Sequence, residues 1–273
     1  MRIRDSLPEI NRLSIASAAI MLAFALTQLI TFPAQSFSFA LFGVLIEFVL
    51  DFSTITTILT VFLAATGVQW LIISHPSWER HETPWESIQN WIVPVLTTLV
   101  IGVALNAFAG SPLWWVVYVL GSLLLIAVFI AEYNSIAVED VRHPMAIIGL
   151  TALSFALYLL LAIALFSAKL RLYIRLPLLA VGGMVVISRS LYLRLRNWEM
   201  IWAGVGSLIV SEIAVGLHYL PFSPIQKGML LVGMTYALTS IVLGIKDKRQ
   251  GMAFWIEPVF MFVLLILVSF IWG

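Results

Sequence analysis

Ten long apolar runs, at about 13–32, 36–50, 53–74, 88–108, 112–131, 145–167, 175–192, 200–220, 226–245 and 252–272, leave this chain one kind of solvent. A helix needs about 20 apolar residues to cross the hydrocarbon of a bilayer, and most of these runs supply them. Composition agrees, with 62% of residues apolar and 11% charged. Soluble chains run near ~45–50% and ~25%, so charges are too few here to cover a water-facing surface. Mean hydropathy is +1.05. What remains outside the runs is too short for a separate soluble domain of about 100 residues. The expected fold class is all-α. It is a polytopic transmembrane helical bundle of nine or ten membrane segments, one domain over 13–273 behind a basic tail at 1–12.

The count turns on the 36–50 segment, which is short, contains Gly43 and ends near Glu47 and Asp51. A tight span, a re-entrant hairpin and half of a broken helix all stay open for it. The first run is too long for the ~7–15-residue apolar core of a signal peptide and reads as a retained helix. Trp70, Trp91, Trp114, Trp115, Trp202, Trp255 and Trp272 fall near run ends, at headgroup depth. Trp78 and Trp85 lie in a connection that reads as resting along the interface. Counting alternate loops, and Arg189 with the nearest of them, one face collects eight Lys and Arg. The other has Lys169, Arg171, Arg175 and Lys227. The positive-inside rule makes the richer face cytoplasmic and wants Arg2, Arg4 and Arg12 there too. Both hold only if an even number of crossings precedes the 75–87 loop, which favours nine spans with 36–50 not crossing.

Lipid gives helices no hydrophobic reason to associate, so close backbone approach must do it. Small residues at helical spacing supply three seams: Thr57, Thr60, Ala64, Gly67; Gly204, Ser207, Ser211, Ala214; and Gly233, Ala237, Ser240, Gly244. Pro94 and Pro177 each remove a backbone bond inside a run.

Chemistry would have to come from ionisable groups at membrane depth. Glu212 lies past the middle of its run, with His218 nearer the end; a charge there costs ~2.5–3.5 kcal/mol on insertion scales. A proton or cation site and a neutral carboxyl bonded to a neighbouring helix are both open. Glu47 and Asp51 are four apart and on a helix would share a face, balanced by Lys169, Arg171 and Arg175 in a salt-bridge cluster or by an ion or anionic headgroup. A polar loop cluster unites His75, Glu79 and His81 with Glu132, Asp140 and His143. Such residues can bind a metal or act as acid and base on a lipid headgroup, but loop charges are commonly just solvated. The sequence has neither an H-E-x-x-H motif nor a phosphate-loop or nucleophile-elbow motif. There is no Cys, which removes thiolate catalysis and disulfides, and the balance of 15 basic to 14 acidic residues argues against nucleic acid.

The stretch Ala131-Glu132-Tyr133-Asn134-Ser135, then Glu139-Asp140-Val141-Arg142, Leu150-Thr151-Ala152-Leu153-Ser154 and the basic stretch from Arg189 to Arg196 resemble a bacterial multi-pass membrane family that is a domain of unknown function. The resemblance covers most of the chain and implies a polytopic membrane fold, with no catalytic residue to carry over. The expected setting is a bacterial cytoplasmic membrane. Partners are membrane lipids and either a membrane protein or a second copy; no cofactor is expected. Transport of a small solute, ion or lipid leads the functional readings, ahead of a non-catalytic subunit or assembly factor and a lipid-headgroup enzyme.

Overall fold

The structure is a computed structural model that describes residues 8–30, 35–41, 44–75, 84–136, 141–168, 170–248 and 251–272. Among these are nine helices and one pair of strands. All nine helices are long and apolar enough to cross a bilayer. The protein is a multi-pass membrane protein with a helical fold. The chain divides into two compact units, 1–146 and 147–273.

The first unit holds α1 (Ile10–Leu29), β1 (Gln35–Leu41), β2 (Val44–Leu50), α2 (Phe52–Ile73), α3 (Pro84–Ala107), α4 (Leu113–Asn134) and the first turn of α5 (His143–Ser167). The 36–50 segment is no tenth helix. It forms an antiparallel hairpin in the register Gln35↔Leu50 to Leu41↔Val44. The alternation Ser36-Phe37-Ser38-Phe39 has the period of two that suits a strand, and β2 is rich in β-branched and aromatic residues. Asp51 then ends the extended stretch and caps α2, its carboxylate accepting the Thr54 N–H at 2.7 Å.

Helices α1 and α2 run antiparallel. The Arg12 guanidinium donates to the Trp70 carbonyl at 3.1 Å and lies 5.4 Å over the Trp70 ring. Ala16 meets Gly67 at the same end. The start of α1 therefore sits beside the end of α2, with two crossings between them. That is the even number the charge distribution asks for. Ile20, Phe24, Val68, Leu71, Leu125 and Phe129 fill the space among α1, α2 and α4. Gly102 brings α3 so near α2 that a Cβ there would stand 2.6 Å from the Thr57 hydroxyl.

The second unit holds the rest of α5, α6 (Leu172–Leu195), α7 (Met200–Tyr219), α8 (Pro224–Lys246) and α9 (Met252–Trp272). The Tyr158 hydroxyl donates to the Leu179 carbonyl at 2.9 Å, its ring lying against Gly182 and Gly183. Ser207 of α7 donates to the Ala180 carbonyl of α6 at 2.7 Å. Gly233, Ala237, Ser240 and Gly244 are all buried, with Gly233 and Gly244 under Leu265 and Phe254 of α9. This seam serves packing. Helix α8 opens with a capping box, in which Ser223 and Gln226 each bond the other's backbone N–H behind Pro224. At one end of this unit Lys246 pairs with Glu199 at 2.6 Å. At the other, α6 begins beside the end of α7.

Candidate functional site

Ionisable side chains expected at membrane depth or in loops end in three settings. The first is the outer face of α7. Ala203, Ser207, Val210, Ala214 and Leu217 are its buried side. Ile201, Val205, Leu208 and Tyr219 are exposed at steps of four, three and eleven, and Glu212 and Gly216 fall on the same exposed stripe. Glu212 stands seven residues from the end of its helix, about 10 Å along the axis. It makes no hydrogen bond or ion pair with the described residues. Gly204 and Gly216 also look onto open space, so nothing among the described residues requires glycine at either position. His218 is six residues on, which turns it about 120° away from Glu212. The two do not share a site.

The second setting is one end of the first unit, where α2 and α4 end and α3 and α5 begin. His75, Gln89, Asn90, Glu132, Tyr133 and His143 there are all less than a tenth exposed. Solvated loop charges were the expectation for His75, Glu132 and His143, and the structure corrects it. Antiparallel neighbours bring the ends of α2, α3 and α4 together, and their side chains fold in between them. The His75 ring meets Tyr133 with centroids 4.5 Å apart. Beside them Trp91 donates to Gln69 at 2.8 Å. Glu79, His81 and Asp140 lie outside the described residues, and among the described ones no three His, Asp or Glu side chains gather as a metal site would need. Glu47 is on β2 opposite Ser38, with its backbone alone described. Since Asp51 begins the next element, the expected shared helical face of Glu47 and Asp51 does not exist. Hydrogen bonding from Thr54, its hydroxyl first, holds the Asp51 carboxyl below the ordinary carboxylate range, although burial pushes the other way.

The third setting was not expected from the sequence. Arg175, 7% exposed in the first turn of α6, donates to His218 Nδ1 at 2.9 Å and to the Ala168 carbonyl at 2.8 Å. Lys227 of α8 reaches the His218 carbonyl at 3.4 Å. Both cations lie over the Phe166 ring, at 5.6 and 6.0 Å. The apolar run opens at Arg175, which was counted with the loop charges of its face, whereas α6 begins at Leu172 and takes it in. Long basic side chains at helix ends bury their stems while the helix continues past them, so hydropathy ends the helix too soon. Arg189, fully buried near the far end of α6, lay within the 175–192 run and was counted with the charges of the adjoining loop. Glu257 near the start of α9, which accepts from the Tyr236 hydroxyl at 2.9 Å, is a further acid the sequence reading passed over.

A family model described as "Protein of unknown function (DUF5656)" matches residues 32–272, most of the chain and all but the first helix. The chain belongs to the DUF5656 family. Membership agrees with the resemblance carried by the Ala131–Arg142 stretch, and it assigns DUF5656 no reaction or ligand. No curated protein and no solved structure matches this chain.

Proposed function

We propose that the protein is a non-catalytic membrane subunit that docks a transmembrane helix of another protein against the outer face of α7. One observation carries this reading: Glu212 is exposed at hydrocarbon depth with no partner among the described residues. A carboxylate so placed costs ~2.5–3.5 kcal/mol unless a donor offsets it. Lipid tails offer none. Gly204 and Gly216, one turn or two to either side, let a second helix approach as small residues do in membrane interfaces. The occupant is a different protein, because a second copy would set Glu212 against an identical acid on a stripe that otherwise presents Ile201, Val205, Leu208 and Gly216. A partner helix with an Asn, Gln, Lys or Arg at that depth fits. A transport role would instead need water to reach Glu212 through the interior, and its outward placement favours association. The protein would sit in a bacterial cytoplasmic membrane with Arg12 and the Lys246 end on the cytoplasmic side.

Native electrophoresis of mildly solubilised membranes tests this. Wild type should migrate as an assembly larger than one chain. Glu212→Leu and Gly216→Leu should reduce it to the single chain, while Glu212→Gln, which keeps polar contacts, should not. An assembly indifferent to Glu212→Leu would overturn the proposal. So would Glu212→Cys, on this Cys-free chain, cross-linking to its own copy.

A further inference from the structure

The Arg175 end of the second unit carries a charge imbalance that the subunit role leaves unused. Neither Arg175 nor Lys227 has a carboxylate within ion-pair distance among the described residues. At the opposite end of the same unit Lys246 does have its acid, Glu199. Two cations held over one phenyl ring repel each other, and Arg175 is almost fully buried, where an uncompensated charge is costly. A guanidinium can only donate, so His218 Nδ1 is the acceptor of that bond. His218 therefore supplies no negative charge. With two of its nitrogens committed, Arg175 retains a buried Nε–H without a partner. Helix α6 starts without a side-chain cap at Arg171, so its positive end adds to the field.

The positive-inside rule sharpens this. In the second unit alone, Arg194, Arg196, Lys246 and Lys248 mark one end as cytoplasmic, and Arg171, Arg175 and Lys227 are the exceptions at the other. A buried Arg175 and a half-buried Lys227 that run against that bias, with no acid beside them among the described residues, fit an anion at headgroup level.

We infer that Arg175 and Lys227, positioned by His218 and Phe166, bind a phosphate-bearing anion at the non-cytoplasmic end of α6, α7 and α8. The uncommitted Nε–H of Arg175 suits a phosphate oxygen, and Lys227 adds a point charge. The phosphate could be that of a lipid headgroup or a free one, and the chemistry is shared.

Purified full-length protein would be placed in nanodiscs containing phosphatidylglycerol or, as the phosphate-free counterpart, diacylglycerol, and retained lipid read by native mass spectrometry. Inorganic phosphate would be titrated into lipid-free detergent samples by calorimetry. Selective retention of phosphatidylglycerol identifies a lipid source, and saturable binding of inorganic phosphate a soluble one. In either arm Arg175→Gln and Lys227→Gln should each weaken binding about tenfold or more. Lys227 is only partly buried, so its variant stands by itself if Arg175→Gln fails to fold. Arg194→Gln and Lys248→Gln, at the other end, should bind like wild type. No preference for phosphate in either arm would overturn the inference, as would equal losses from the two ends. Glu212→Leu should bind normally, so this result and the subunit test can fail separately.

Discussion

The two units cover their costly side chains in different ways. In the first, His75, Gln89, Glu132 and His143 are enclosed at helix ends, each less than a tenth exposed. In the second, Glu212 faces outward from α7, and Arg175 with Lys227 has no acid beside it among the described residues. A buried polar group that finds its partner within its own chain helps hold that chain together. One that the chain leaves uncompensated at membrane depth needs a group from outside. On the proposals made above, the polar end of the first unit is structural, and Glu212, Arg175 and Lys227 of the second are directed at other molecules.

The largest expected effect separates the two acids. Glu132→Leu should lower the thermal stability of the detergent-purified protein by about 1–3 kcal/mol, because the buried groups around it lose a partner. Glu212→Leu should leave that stability unchanged or raise it while abolishing assembly. A purified Glu212→Leu protein that melts well below Glu132→Leu would reverse the comparison and make Glu212 the structural acid.

Two glycines repeat the contrast with less force. A Cβ at Gly244 would stand 2.8 Å from the Phe254 ring, so Gly244→Val should cost about 1–3 kcal/mol in melting experiments through overpacking. Gly216 faces open space, and Gly216→Val should melt like wild type yet weaken the assembly. Equal melting losses would mean that something in the folded chain already covers Gly216.

Much of this division was legible in the residues. Continuous apolar runs fixed the spans, since only closed backbone hydrogen bonding survives in lipid. The seam at Gly233, Ala237, Ser240 and Gly244 followed from its spacing, and Glu212 stood out as an acid in an apolar run. The hairpin at 36–50 was half visible in the alternation at Ser36–Phe39, but a run of that length and hydropathy reads equally as a short helix. The pairing of Arg175 with His218 and Lys227 was not legible. It joins residues 43 and 52 positions apart, and it depends on which helix ends meet, which periodicity along one helix does not encode. Burial of His75, Glu132 and His143 was hidden for the same reason.

The smallest effect concerns Asp51, the acid that the first unit has already settled. As the cap of α2, it should lose about 1 kcal/mol on Asp51→Ala, seen as a lower melting temperature at neutral pH. Its folded pKa lies below the ~3.9 of an unfolded Asp, so more protons bind the unfolded chain between the two values. The cap's contribution is therefore complete above about pH 4 and fades as pH falls through the lower folded value. Asp51→Asn keeps a good cap without a titrating group. It should match wild type at neutral pH and lose less stability in acid. If Asp51→Asn instead weakened the protein at neutral pH as much as Asp51→Ala, the negative charge itself would be needed at that site, and the first unit too would hold a charge meant for a partner.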